Sequence, residues 1–513
     1  MALLLNAPTA AVRRTGRWLF LLSLCVYTFT AGGSLTTTDA VVAYDLTQSL
    51  VERRSLALSG NLLGMDAHRG ADGRYYSPFG IAQSIYNVPF YVAGQIALDL
   101  APAPLGKPDS VPKAVVALGQ TLVVAGIVWQ LFRLAALLTT PQTALFASLT
   151  CAFASLFWPY SSFGFNQPLA AFALLAAVRA AVTGVRQGIG RQLTIAGLWI
   201  AAGLLTRHEL ALAVIPIGLW IALDGNVAWR SRVRRVLAFA PGVAAGVAGW
   251  LAYNALRFGN PLDSGFLRDS VPGFGSPILD GMAGLLLSPS TSIFIYSPFA
   301  ACGVVGIVAL ARRDRSIACL FAALCVGALL FYSTLGNWIG GRSYGSRYLL
   351  VVLPYLGLGW AVLLEDVRGR TRLWLFLAVT GAGLIVQMPG VLMDYAKVGQ
   401  ETAIRDGAAT TEARQWTWRA APLLMNAAAL VSAVPDNMAY VTGVRPRPAI
   451  PPGAAHDRSF SQQFAFSLDL WWLYLFYLGA LSRFGIAMVV LVFTAAIVVC
   501  ARGLERSART MAG

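Results

Sequence analysis

The sequence predicts an all-α polytopic membrane protein, a bundle of about 12 transmembrane helices. Three observations carry that expectation. The 513 residues are 57% hydrophobic and only 12% charged, about half the charge of soluble domains, and the mean hydropathy is +0.64. Apolar runs of roughly 18 residues or more recur from end to end, each long enough to cross a ~30 Å hydrocarbon layer as a helix. The alternating ten-residue segments of a membrane β-barrel are absent.

Orientation follows from charge. Lys and Arg total 39 against 23 Asp and Glu, a formal net charge of +16. In a soluble chain that excess would point to nucleic acid. Here it sits mainly in short loops between spans, so no nucleic-acid partner is expected. Arg13, Arg14 and Arg17 place residues 1–17 in the cytoplasm, and the clusters at 179–192, 230–235, 312–315, 368–372 and 501–509 place their loops there too. The spans between them lie near 18–33, 79–100, 112–136, 142–160, 168–184, 192–207, 209–225, 236–256, 292–311, 316–336, 347–365, 372–393 and 484–500. That is an odd number, yet both termini read as cytoplasmic. One candidate within 79–160 must therefore re-enter or fail to cross. The first apolar run has the basic start of a signal peptide, but the segments after it need it as an uncleaved span.

All six cysteines lie in apolar runs, and no CxxC or CxxH spacing occurs. Neither a disulfide framework nor a zinc site is expected, and nothing supports a divalent metal or other cofactor. The chain divides into the 1–17 terminus, a membrane core over 18–393 with its first loop at 33–78, an outward loop at 394–466, and a last part over 467–513. That last part holds the aromatic run "LWWLYLFYL", an interfacial helix, then the final span and a basic tail.

Most uncommon polar chemistry falls on the outward side. In the first loop Thr36, Thr37 and Thr38 precede Asp39, and Val42, Leu46 and Leu50 follow at helical spacing. This reads as an amphipathic helix lying along the membrane surface, with Asp39 either its N-cap or a functional acid. Asp45 leaves on a different face, as a solvated acid or a helper. The loop ends in "DGRYYSP", where Arg74, flanked by Tyr75 and Tyr76, is a headgroup anchor or a phosphate donor.

"GNWIGGRSYGSRYLL" is the richest motif. Its four glycines let a loop bend close to a ligand, and Arg342 and Arg347 bring two charges to the outward side, against the usual bias. Tyr344 and Tyr348 stand beside them as candidate substrate contacts. Arg257 ends another span ahead of a Gly-Asn-Pro turn. In "TRHEL", Arg207 adjoins His208 and Glu209, a pair able to serve as a proton or substrate site, though one histidine argues against a metal. Arginines facing an anionic headgroup, with a carboxylate nearby, suit a sugar carried on a lipid phosphate.

The ordered motifs "TTTDAVVAYDLTQSLVERRSLAL", "DGRYYSPFGIAQS", "YSSFGFNQPLAAFALL", "RFGNPLDSGF", "LLLSPSTSIFIYSP" and "WIGGRSYGSRYLLVVLP" resemble bacterial membrane glycosyltransferases of the GT-C class. The resemblance spans about residues 15–365 and is closest to relatives of the protein O-mannosyltransferases and lipid A aminoarabinose transferases. It implies a GT-C-like bundle with an amphipathic first extracytoplasmic loop, in the inner (plasma) membrane with its active site facing the periplasm or exterior. It also implies a polyprenyl-phosphate sugar donor, a cell-envelope hydroxyl acceptor and inversion at the anomeric centre. By position, Asp39 would be the base and Asp45 its helper or a sugar ligand. Arg342 and Arg347 would hold the lipid phosphate, assisted by Arg74 or Arg257. This sequence departs from the pattern at Asn166 and Gln167, where relatives often carry an acid. A flippase for a lipid-linked sugar is the alternative, but it should show internal repeats and polar residues deep in several spans. The spans here are mostly Ala, Leu, Val and Gly.

Overall fold

The computed structural model describes residues 9–60, 67–100, 109–265, 273–341, 343–405, 415–446 and 467–512. Apart from one two-stranded hairpin, its regular elements are helices: α1 Ala10–Thr30, α2 Thr38–Gln48, α3 Ala82–Asp99, α4 Ser110–Leu138, α5 Pro141–Phe153, α6 Gln167–Arg186, α7 Gly190–Thr206, α8 Ala211–Leu223 and α9 Trp229–Phe258. After these come α10 Ile278–Leu287, α11 Ile293–Tyr296, α12 Phe299–Arg313, α13 Arg315–Ser333, α14 Leu353–Asp366, α15 Gly369–Leu392, α16 Tyr395–Arg405, α17 Pro422–Thr442, α18 Trp471–Tyr477 and α19 Arg483–Ala512.

Among the described helices, α1, α4 to α9, α12 to α15 and α19 pack along one another in the bundle. Six helices, including α4, α6 and α9, are individually long and apolar enough to cross a membrane. Others are short: α5 and α8 have 13 residues each, about 20 Å of helix. Their shortfall lies at the end that carries the first loop, where 3-10 turns at 159–161, 208–210 and 347–351 sink polar residues into the bundle.

Within 79–160, α3 packs against the first part of α4. On α4, Thr121 lies 3.4 Å from Thr28 near the end of α1, so the first part of α4 projects past that end. There α3 doubles back along it: Gln83 bonds Gln120 at 3.4 Å, Phe90 abuts Gly119, and Gly94 abuts Pro112. Backbone approach is closest between α12 and α14, where a Cβ on Gly306 would lie 1.7 Å from the Gly359 carbonyl oxygen. Small residues allow such contact where lipid supplies little force to press helices together.

The first loop forms a helix as the spacing predicts, with Val42 and Leu46 buried. Ala43, Tyr44 and Asp45 are buried as well, so α2 is wedged into the protein on more than one face. The hairpin His68–Arg69 with Tyr75–Tyr76 follows.

The 394–466 segment, read as a polar loop, carries α16 and α17; its apolar stretch "PLLMNAAALVSAV" accounts for α17. This helix lies across the first-loop end. Its Leu423 amide donates to Tyr296 at 3.1 Å, and near its other end Asn437 accepts from Tyr477 of α18. The aromatic run forms α18, whose Trp471 and Trp472 indoles donate to the Thr28 and Phe29 carbonyls at 2.9 and 3.0 Å. Those bonds satisfy carbonyl groups at the end of α1.

Candidate functional site

Three segments far apart in sequence meet at the first-loop end: the start of α2, the 160–167 tip, and the turn at 343–351. Gly164, at φ +70°, closes the tip onto the first loop, where a side chain would lie 2.7 Å from Leu35. Gly340 leaves room for Arg347, since a Cβ there would lie 2.8 Å from its Nε.

At the centre Arg347 Nη1 donates to Asp39 Oδ2 at 3.0 Å, with side chains 10% and 12% exposed. Asp39 is not the helix cap. Thr37 is, its hydroxyl accepting from the Ala40 amide at 3.4 Å, which leaves the Asp39 carboxylate to Arg347. The guanidinium lies 4.6 Å from the Phe165 ring and 5.2 Å from Tyr348.

A second guanidinium, Arg207, lies 5.6 Å from the same Tyr348 ring. Its Nη1 donates to Asn166 Oδ1 at 2.8 Å and its Nε to Glu209, which also accepts from Tyr332 at 3.1 Å. Tyr332 and Tyr348 stack at 4.9 Å. The sequence reading passed over Arg207 in favour of its neighbours. The available signal was the one applied to Arg347: an arginine at a span end on the outward side.

Several buried polar atoms near the pair have no hydrogen-bond partner among the described residues: Arg347 Nε, Ser346 Oγ, Ser34 Oγ, Thr36 Oγ1 and both amide atoms of Gln167. Each unmatched group costs about 1–3 kcal/mol unless water or a ligand meets it. A shallow groove also reaches this network. Leu212, Pro216, Leu324 and Phe331 line it, with Glu209 and Tyr332 as its polar wall.

The other predicted residues go elsewhere. Asp45, six residues along the helix from Asp39 and so about 240° round it, accepts from the Ser59 amide and hydroxyl at 2.8 and 2.7 Å and holds the loop closed. Arg74 is exposed and paired with Asp72 at 2.6 Å; Tyr76, through its hydroxyl, and Arg74 hold the Asp72 carboxyl down to about 2. Tyr75 pairs within the hairpin, and Tyr76 is buried there. Arg257 is spent on the Ser77 and Tyr253 carbonyls and Asn254, its plane against Tyr253 at 3.7 Å. It clamps the first loop to α9. Tyr344 donates to the Val386 carbonyl and is fully buried in the aromatic wall. His208 stacks on Trp250 at 6.3 Å, while Glu209 serves Arg207. Arg342 lies outside the described residues. Among the described residues no three His, Cys, Asp or Glu side chains gather to hold a metal ion.

Beside the site, Tyr395 packs on Phe163 at 4.3 Å. Next to it Asp394 pairs with Lys397 at 3.0 Å, and Asp469 accepts from Tyr474 at 2.8 Å. Burial, then the adjacent Asp394 charge, pushes the Asp469 carboxyl up to about 7.

A family model described as dolichyl-phosphate-mannose-protein mannosyltransferase matches residues 110–252, which run from α4 into α9. Among solved structures the chain is similar to ArnT from Cupriavidus metallidurans in the apo state, with 13% identity, a TM-score of 0.50, and 90% of this chain and 76% of that one covered. The same protein bound to undecaprenyl phosphate matches at 14% identity and TM-score 0.45, covering 90% and 77%. The apo oligosaccharyltransferase of Archaeoglobus fulgidus matches at 11% identity and TM-score 0.45, covering 78% and 59%. Comparison with curated proteins gives no match. The bundle is that of a polytopic membrane protein with the GT-C glycosyltransferase fold. Within that class the chain resembles the protein O-mannosyltransferases and aminoarabinose transferases, as the sequence motifs imply.

Proposed function

We propose that this chain is an integral membrane glycosyltransferase that moves a sugar from a polyprenyl-phosphate donor to a cell-envelope hydroxyl outside the cytoplasm. The observation that carries this is the buried Asp39–Arg347 pair with Arg207 against the same tyrosine ring. A base and two cations at one point are what the chemistry requires. Asp39 accepts the proton of the acceptor hydroxyl as its oxygen attacks the anomeric carbon. The bond from that carbon to the phosphate oxygen breaks, and the lipid phosphate leaves with its charge met by Arg347 and Arg207. Attack opposite the leaving group inverts the centre.

The match of α4 to α9 with a family named for dolichyl-phosphate mannose supports a polyprenyl-phosphate donor. The apolar groove ending at Glu209 and Tyr332 suits its hydrocarbon chain. The unmatched hydroxyl and amide groups suit a sugar. Arg186, Arg235 and Arg313 gather at the far end of the bundle, which supports a cytoplasmic face there and an active site on the periplasmic or exterior side of the inner membrane. On that reading α16 and α17 lie where an acceptor would approach.

The test is transfer of labelled sugar from a panel of polyprenyl-phosphate donors by purified protein in nanodiscs, comparing wild type with Asp39→Asn. Transfer by wild type alone, with donor still bound by the variant, supports the reading. Equal transfer by both removes Asp39 as the base. Donor movement between leaflets without transfer replaces the enzyme with a flippase.

A further inference from the structure

At the end of the bundle opposite Asp39, α1, α4 and α6 each bring an arginine: Arg13, Arg133 and Arg179. Arg179 lies on α6 seven residues before its terminal Arg186, about 10 Å inside the helix end. Its Nε donates to the side-chain oxygen of Gln130, a buried residue on α4. Arg133 is three residues on from Gln130, hence on the same face of α4, and its guanidinium lies 4.9 Å from the Trp129 ring. Trp129 in turn abuts Gly16 of α1, where a Cβ would be 3.2 Å from the indole, and Arg13 stands one turn before Gly16.

The neighbouring basic group is built differently. Arg186 is held between Asp224 and Asp314 at 2.8 Å each. Arg133 has no hydrogen bond or ion pair among the described residues, and Arg179 has only Gln130. Topology-setting arginines reach out to water, as the exposed Arg13, Arg14 and Arg17 do. Arg133 and Arg179 are half-buried between helices instead. Like charges held there repel and lose hydration, and an anion between them relieves both.

We propose that Arg179 and Arg133, with the exposed Arg13 at the rim, form an inter-helix site for a phosphate group, that of an anionic lipid in the adjoining leaflet. Planar guanidinium forks from different helices converge on phosphate oxygens, and Gln130 fixes the innermost fork. The occupant ties α1, α4 and α6 together at this end. None of this depends on the glycosyltransferase reading.

The test uses the full chain in detergent and in phosphatidylcholine nanodiscs, with phosphatidylglycerol and inorganic phosphate as separate probes read by native mass spectrometry and thermal shift. Wild type is expected to keep phosphatidylglycerol through detergent exchange, and R133Q/R179Q to bind it about tenfold more weakly or worse. R14Q/R17Q, which removes exposed charges, should change binding far less. R133Q alone loses no hydrogen bond in the protein, so it decides the matter should the double variant fail to fold. Stabilisation by inorganic phosphate as strong as by the lipid would keep the site and assign it to free phosphate. Equal lipid binding by wild type and R133Q, with no phosphate effect on either, would overturn the proposal.

Discussion

Arg347 Nη1 donates to Asp39 Oδ2 at 3.0 Å, joining residues 308 positions apart in the chain. Both side chains are about one-tenth exposed and lie among aromatic rings, where a charge left alone is costly. Asp39→Asn and Arg347→Gln should each destabilise the folded protein, Arg347→Gln by about 3 kcal/mol because it strands a carboxylate. The double variant should lose less than the sum, with a coupling of about 1–3 kcal/mol. Denaturant unfolding in one detergent measures the cycle, and strict additivity would remove the pair as an energetic unit.

The arginines separate by what they touch. Arg347→Lys keeps a charge beside Asp39 but gives up the planar fork, so the proposed donor should bind about tenfold more weakly, seen as a higher KM. Arg207→Lys should act in the same direction. Arg257 spends its donors on protein groups, so Arg257→Lys should lower thermal stability and leave the donor KM of the folded fraction unchanged. A KM change at Arg257 equal to that at Arg347 would contradict this division.

The helix pair α12–α14 gives a prediction independent of chemistry. Gly306 faces the Gly359 carbonyl with no room for a methyl group. Gly306→Val should push the two helices apart and cost about 2 kcal/mol or more. Gly327, with open space where a Cβ would stand, should accept the same change without loss, since valine is a better helix former than glycine. Thermal unfolding of the two variants compares them directly.

Legibility differed by scale. The helical bundle was readable because lipid forces long apolar helices. Asp39 and Arg347 were readable as charges out of place. Their direct pairing was not, because nothing local in either stretch sets a contact across most of the chain. Asp45, Arg74 and Arg257 looked equivalent to Asp39 and Arg347 by type and by the side to which the sequence assigns them. What distinguishes them is their partners: Ser59, Asp72 and a set of carbonyl groups. Arg207 was hidden by the reverse effect, since its neighbours drew the same argument and Asn166, which orients it, is 41 positions away. The α17 helix was missed because its polar flanks lowered the apparent hydrophobicity of the whole 394–466 segment.

Asp469 makes stability depend on pH. Its carboxyl is nearly inaccessible, faces Asp394, Lys397 and Tyr474, and sits against Gly32 at the end of α1. Burial and the Asp394 charge raise its pKa to about 7, from an ordinary 3.8 in the unfolded chain. Between those values the folded state holds a proton that the unfolded state has released. Its contribution is therefore fully present below about pH 4, declines as pH rises towards 7, and is level above that. Asp469→Asn keeps an acceptor for Tyr474 and cannot ionise, so it should flatten this part of the profile. Wild type and variant should match near pH 4, with the variant the more stable at pH 8. Thermal unfolding across pH 4–8 reads the difference. Parallel profiles, or a variant weaker at pH 8, would mean that Asp469 stays ionised in the folded protein, with Lys397 compensating two carboxylates at once.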